Sequence, residues 1–296
     1  MAKAEVLFRM HAELGEGALW DEATATLYWL DIVAGRVYRS RLVDGRHAAS
    51  EWCAPSSRVG ALALCRDGSL VGGLAEGVGV FRFGEAPRII AEPSLDPAVA
   101  VYNDGKAGPD GRFWVGYKDI RHSAPIGILE SVGADSSKRT LVRGLAISNG
   151  LGWSPDRAAF YLTDSIPRDV RRWRTADLLA APPDGIPFSE GDDFADAGPE
   201  IPDGLAVDAE GYLWSARWRG SCVVRYDPSG RVVDRVEVDA SRVSSCCFGG
   251  SDLRTLYITT AREDLSEAER AAEPLAGSVF AARVAVPGLP SFRFPA

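Results

Sequence analysis

Ile201-Pro202-Asp203-Gly204-Leu205-Ala206-Val207-Asp208-Ala209-Glu210-Gly211-Tyr212-Leu213-Trp214 contains, in one phrase, the unit from which the chain is built. A carboxylate stands before a glycine. A short apolar run follows, a polar turn with Gly211 interrupts it, and a second run starts at Tyr212. Apolar runs of this length, cut by Asp and Gly turns, read as short antiparallel strands. The phrase recurs from end to end. Glu16-Gly17-Ala18-Leu19-Trp20 precedes Leu27-Tyr28-Trp29-Leu30-Asp31, and Gly60-Ala61-Leu62-Ala63-Leu64 precedes Leu70-Val71. Asn103-Asp104-Gly105-Lys106 precedes Phe113-Trp114-Val115. Asn149-Gly150-Leu151-Gly152-Trp153 precedes Phe160-Tyr161-Leu162-Thr163-Asp164, and Ser245-Cys246-Cys247-Phe248 precedes Leu256-Tyr257-Ile258.

Aligned on the turn between the two strands, the copies are headed by Glu16, Gly60, Asn103, Asn149, Asp203 and Ser245, at intervals of 44, 43, 46, 54 and 42 residues. A period near 45 residues with several short strands per copy is the mark of a propeller blade. The expected fold is all-β, a six-bladed β-propeller with four-stranded antiparallel blades, and residues 1–296 form a single domain. Third and fourth strands are visible in most copies, as in Cys222-Val223-Val224-Arg225-Tyr226 and Val232-Val233-Asp234-Arg235-Val236. Helical periodicity is confined to 175–180 and 264–272, and the Pro/Gly-rich stretch 181–198 reads as a surface loop. Glu5-Val6-Leu7-Phe8-Arg9 is placed to add a strand beside 278–283 and so cover an open sheet edge.

Composition narrows the function classes. With 46% hydrophobic and 25% charged residues the chain is an ordinary globular one. A net charge of −8 argues against nucleic acid and anionic membrane as partners. The one dense basic run, Arg171-Arg172-Trp173-Arg174, is explained by a solvated strand or turn. The N-terminus lacks a long apolar segment, and no run approaches the ~18 apolar residues of a membrane helix. Five cysteines without a Cys-x-x-Cys pair suit reduced thiols in a cytoplasmic protein. No segment advertises self-association, so a monomer is expected.

In a propeller the first strand of each blade lines the central channel, so equivalent residues at the strand starts form a ring at one mouth. Glu16, Asn103, Asn149 and Asp203 place two carboxylates and two carboxamides there. An Asp or Asn before Gly is, taken alone, turn chemistry. Gly60 and Ser245 show that the repeat itself does not require an acid or amide at this position. Hard oxygen donors with a charge of about −2 suit a divalent cation. Three scattered histidines (His11, His47 and His122) make a His/Cys zinc site a poor reading, and no nucleophile elbow or phosphate-binding loop occurs. Most of the tryptophans fall on strand positions of the repeat, where they are expected to pack the core.

Leu14-Gly15-Glu16-Gly17-x-x-Trp20, Asn103-Asp104-Gly105-Lys106, Ile147-Ser148-Asn149-Gly150, Pro202-Asp203-Gly204-Leu205 and Thr259-Thr260-Ala261-Arg262, in that order, resemble the senescence-marker-protein-30/gluconolactonase/regucalcin-like family. The resemblance runs from about Ala12 to Pro290. It implies a hydrolase that opens a sugar lactone to the aldonic acid with one divalent ion, whose identity stays open among Ca²⁺, Mn²⁺, Mg²⁺ and Zn²⁺. Glu16, Asn149 and Asp203 match the family's metal ligands, Asn103 a substrate contact, and Asp203 the general base. A cation lowers the basicity of its ligand, so Asp203 is either the base or chiefly a ligand, with a metal-bound hydroxide as nucleophile.

The chain departs from the family pattern at two places. Val101 stands where members acting on common sugar lactones often carry Arg, and Gly116-Tyr117-Lys118-Asp119 replaces a Gly-Thr-Met phrase. Lys118 and Arg121 are candidates to bring a cation to the substrate from another direction, as for a modified or anionic sugar acid lactone. Other readings of the same ring are a promiscuous esterase or phosphotriesterase and a calcium-binding propeller without catalysis. A strictosidine-synthase-like condensation is disfavoured by the acid and amide retained at 16, 149 and 203.

Overall fold

The molecule is described here by a computed structural model covering residues 2–43, 46–196 and 198–296. Six antiparallel sheets surround a channel, and each repeat of the sequence starts one of them. The inner strands are Gly15–Asp21, Val59–Leu64, Ala100–Ala107, Ser148–Trp153, Ile201–Val207 and Val243–Gly249. Each pairs with the second strand quoted in its repeat, and a third and fourth strand follow outward. Aromatic side chains fill the wedges between blades. Trp114, Trp153 and Phe160 meet between blades three and four, and Trp214 meets Phe248 edge-on between blades five and six.

The ring is closed by the start of the chain. Glu5–Phe8 pairs antiparallel with Val279–Arg283 and supplies the fourth strand of the sixth blade. Phe8 then stacks on Trp29 of the first blade at 5.0 Å, and Trp29 stacks on Tyr38 at 5.4 Å. Ala2–Lys3 adds a parallel strand to the fifth blade, beside Val232–Glu237. The end of the chain closes the far side of the channel. Phe294 is fully buried, donates its N–H to Leu64 O at 2.9 Å, and accepts from Arg66 N at 2.9 Å.

Three expectations need correction. The stretch 181–198 is more than a surface loop: Asp192–Asp196 is the fourth strand of the fourth blade, and Ile186–Pro187 runs parallel to Val142 and Arg143 on the third. Tertiary pairing overrides its Pro/Gly composition. The later helix starts at Glu267, because Ser266 and Glu269 form a reciprocal capping box. The earlier one spans Thr175–Leu179. The basic run lies on Asp169–Arg174, where Arg171 pairs with Asp169 and Asp193. All five cysteines are free. Among the described residues, no helix is long and apolar enough to cross a membrane.

Phe8 is 8% exposed and joins the last blade to the first. Phe8→Ala is expected to destabilise the fold by about 3–5 kcal/mol. Urea unfolding of the variant against the parent measures this, and a change below about 1 kcal/mol would mean the clasp contributes little.

Candidate active site

At the head of every inner strand the pairing with its neighbour slips. The slips fall between Glu16 and Leu19, Val59 and Ala61, Tyr102 and Gly105, Ser148 and Leu151, Pro202 and Leu205, and Val243 and Ser245. A bulge re-aims side chains and commonly borders functional sites. Four of the ring residues, Glu16, Asn103, Asn149 and Asp203, line one cavity of about 240 Å³. Gly60 and Ser245 do not line it. The Asn-Gly and Asp-Gly pairs are therefore inside strands and are not turns. What requires glycine is proximity. A Cβ on Gly150 would lie 2.5 Å from Asp203 O, and one on Gly204 would lie 2.6 Å from Ser245 Oγ.

The ring side chains are almost wholly buried: Glu16 is 7% exposed, Asn103 7%, Asn149 6% and Asp203 7%. Glu16 Oε2 accepts from Gly17 N at 2.7 Å, and Asn103 Nδ2 donates to Ser148 O at 3.1 Å. Asn149 Nδ2 donates to Ser165 Oγ at 3.1 Å, and Ser165 Oγ donates to Pro202 O at 2.8 Å. Ser165 thus engages the amide through its nitrogen and leaves Asn149 Oδ1 free to accept. Asn149 Oδ1 and Asp203 Oδ1 are both buried without a hydrogen-bond partner.

Burial, followed by the fields of Asp203 and Asp104, pushes Glu16 well above the usual carboxylate range. Burial first and Asp104 second push Asp203 up to about 8, against the opposing effects of Lys118 and the Asn149 amide. Asp104, 8% exposed, is raised by burial and opposed by Lys106. Burial and the nearby Arg58 lower Lys118, while Glu263, Asp203 and Glu16 raise it. Three carboxyl groups thus share a place where each resists ionising unless positive charge arrives. Two orphaned oxygens, a carboxylate and a carboxamide, among buried acids fit a hard divalent cation. Among the described residues no three His, Cys, Asp or Glu side chains form a cage, and the other oxygen donors on the ring are the amides of Asn103 and Asn149.

Acids at the ends of second strands hold the rim. Asp31 accepts from Glu13 N and Leu14 N at 3.0 and 3.2 Å. Asp164 does the same for Ala146 N and Ile147 N, both at 2.9 Å. Leu14 and Ile147 line the cavity as a result. Asp119 accepts from Arg121 N, Ser123 N and Ala124 N and so ties down the loop after Lys118. Both residues at the tip of that loop are exposed, but His122 lines the cavity with Lys118 and Arg121 does not. Sequence reading also passed over Ser165, Ile166, Trp218, Glu263 and Asp264, which line the same space. Asp31 and Asp164 occupy equivalent places in two repeats, and that recurrence was the available signal.

Residues 14–262 match the family model described as SMP-30/Gluconolactonase/LRE-like region. The chain is 35% identical over 288 residues to the pentonolactonase XacC of Haloferax volcanii, covering 95% of this chain and 94% of that one. It is 34% identical over 283 residues to the 6-deoxy-6-sulfogluconolactonase of Pseudomonas putida, with 95% and 94% covered. Among solved structures, the calcium-binding protein regucalcin of Agrobacterium tumefaciens superposes with a TM-score of 0.87 at 27% identity, over 100% of this chain and 98% of that one.

Asp164 is 2% exposed and satisfies two rim N–H groups, one of them buried. Asp164→Ala strands those donors and is expected to cost about 1–3 kcal/mol. Chemical unfolding reports the loss; hydrogen exchange at Ala146 and Ile147 should quicken with it, and unchanged protection there would contradict the anchoring role.

Proposed function

The chain belongs to the SMP-30/gluconolactonase/LRE-like family, and on that basis we propose that it is a divalent-metal-dependent hydrolase that opens a sugar lactone to the corresponding aldonic acid. The observation that carries the metal is the pair of buried, unpartnered oxygens, Asn149 Oδ1 and Asp203 Oδ1, on a ring shared with Glu16. Those three residues would hold the ion. Oxygen donors without His or Cys favour Ca²⁺, Mg²⁺ or Mn²⁺ over Zn²⁺. When bound, the ion supplies Lewis acidity toward the lactone carbonyl and compensates the buried acids.

The chain's own residues supply the rest. Asp203, on the same ring as the would-be ligands, would take a proton from an attacking water once the ion has brought its carboxyl to the charged form. Asn103 presents an amide to the substrate from the same rim, and Lys118 presents an ammonium. Ile166, Ile201 and Trp218 give the cavity an apolar wall against which the C–H face of a sugar ring packs and excludes water. Arg121 does not line this cavity, and its neighbour His122 does. The free cysteines suit a cytoplasmic protein.

A calcium-binding protein without catalysis is the second reading, because the superposable regucalcin is a calcium-binding protein. The cavity beside the ring, lined by Asn103, Lys118 and an apolar wall, favours catalysis. Asp203→Ala and Asp203→Asn are expected to lower kcat/KM on an aldonolactone panel by about 10²–10⁴-fold. Full activity of either in metal-replete protein would sink the assignment. Hydrolysis of phosphotriesters but no lactone would select the esterase reading.

Cation binding has its own readout. Stripped protein given Ca²⁺, Mg²⁺, Mn²⁺ or Zn²⁺ singly should melt at a higher temperature with at least one of them. Saturation to 100 times Kd corresponds to about 2.7 kcal/mol. The shift should shrink in Glu16→Gln and Asn149→Ala; an equal shift in both would place the ion elsewhere.

A further inference from the structure

Beside the main cavity, between the second and third blades, lies a recess of about 80 Å³ lined by Arg58, Gly60, Val101, Tyr102 and Tyr117 among others. Val101 and Lys118 are direct cross-strand partners, so their side chains stand on the same side of the third blade. Lys118 lines the main cavity and Val101 the recess, and the two spaces therefore adjoin. Gly60 brings the blades together: a Cβ there would lie 2.2 Å from Tyr102 O. Arg58, two residues earlier, is carried to the same rim.

Arg58 and Lys118 are two half-buried cations without an ion pair. Among the described residues, neither side chain makes a hydrogen bond or salt bridge, and Arg58 Nε is buried without a partner. Their closeness registers in Lys118, whose ammonium is lowered by Arg58 after burial. Glu263 is the acid that faces both. Lys118 also feels Asp203 and Glu16 across the mouth, whereas the recess beside it is lined by Arg58 and by no acid, so the recess is positive next to an acidic mouth. The short Val101 side chain leaves the recess open. Liquid water takes about 30 Å³ per molecule, so the space accepts two or three waters or one small oxyanion.

We propose that Arg58 and Lys118 form an anion subsite, and that the preferred substrate is a sugar lactone with an anionic group remote from the lactone carbonyl. The shared chemistry is a compact oxyanion: a carboxylate, sulfonate or phosphate. The guanidinium offers a planar fork to such a group and the ammonium a point charge. As a statement about turnover, this rests on the lactonase reading above.

The test uses the metal-loaded full chain. Hydrolysis of glucaro-1,4-lactone is compared with that of glucono-1,4-lactone, and 6-phospho- and 6-sulfo-gluconolactones distinguish the anion types. The kcat/KM ratio of the best anionic lactone to the neutral one should be at least about tenfold. Arg58→Gln should collapse that ratio by about tenfold and raise KM more than it changes kcat, while Arg58→Lys should keep most of it. A ratio near one, or one that Arg58→Gln leaves in place, overturns the proposal. Calorimetric titration with glucarate against gluconate reads the subsite without turnover: tighter glucarate binding, lost in Arg58→Gln, supports it, and equal binding refutes it. If no lactone is hydrolysed, the lactonase reading fails while the titration still decides the subsite. Should Arg58→Gln not fold, as judged by its melt, Lys118→Gln carries the same comparison.

Discussion

At Gly150 and Gly204 the inner strands of the fourth, fifth and sixth blades approach more closely than any side chain would permit. That approach, combined with the slip in pairing at each strand head, brings residues separated by some fifty positions in sequence onto one small ring. Everything chemical about the mouth follows from it. Asn149 sits against the backbone of Asp203, and Ser165 links the amide of one to the carbonyl before the other. An alanine at either glycine would drive the strands apart and open the ring.

Convergence has an electrostatic consequence. Glu16, Asp104 and Asp203 are all removed from water; Asp203 and Asp104 raise the proton affinity of Glu16, and Asp104 raises that of Asp203. Hydrogen bonds from Gly17 and Gly105 and the charges of Lys106 and Lys118 offset only part of this. Lys106 donates to Leu205 O at 2.6 Å and approaches from the far side of the ring. Lys118 approaches from the mouth side. A fold optimised for stability alone would not gather three buried acids; local rules are broken in this way where a ligand supplies the compensation. The apolar floor, with Leu62, Val207 and Phe248, and the buried Phe294 close the other end of the channel, so the charge is concentrated at one mouth.

How much was legible differs between backbone and side chains. The six repeats, their strand pairs and the N-terminal closing strand could be read because each is a local pattern of apolar runs and turns repeated at a nearly constant interval. Glu16, Asn103, Asn149 and Asp203 could be read because one column of the repeat carries an acid or amide in four copies and Gly or Ser in two, so the strand pattern alone does not account for it. Which side chain of the loop after Lys118 borders the cavity, His122 and not Arg121, depends on how Asp119 holds that loop and is not written in the local sequence. The outer strand 192–196 was missed because its partner, Asp169–Arg174, lies across a Pro/Gly-rich excursion that reads locally as coil.

The amino-acid sequence by itself determined the blade number, the closure and the acid–amide ring, since these depend on periodicity and on residue type at a repeated position. Only the tertiary structure decided that the Asn-Gly and Asp-Gly pairs are strand interiors, that Ser165 engages the Asn149 amide, and that Arg58 shares a rim with Lys118. Those facts depend on distances between different blades. Such distances are set by how closely two backbones pack, and no local pattern in the chain records them.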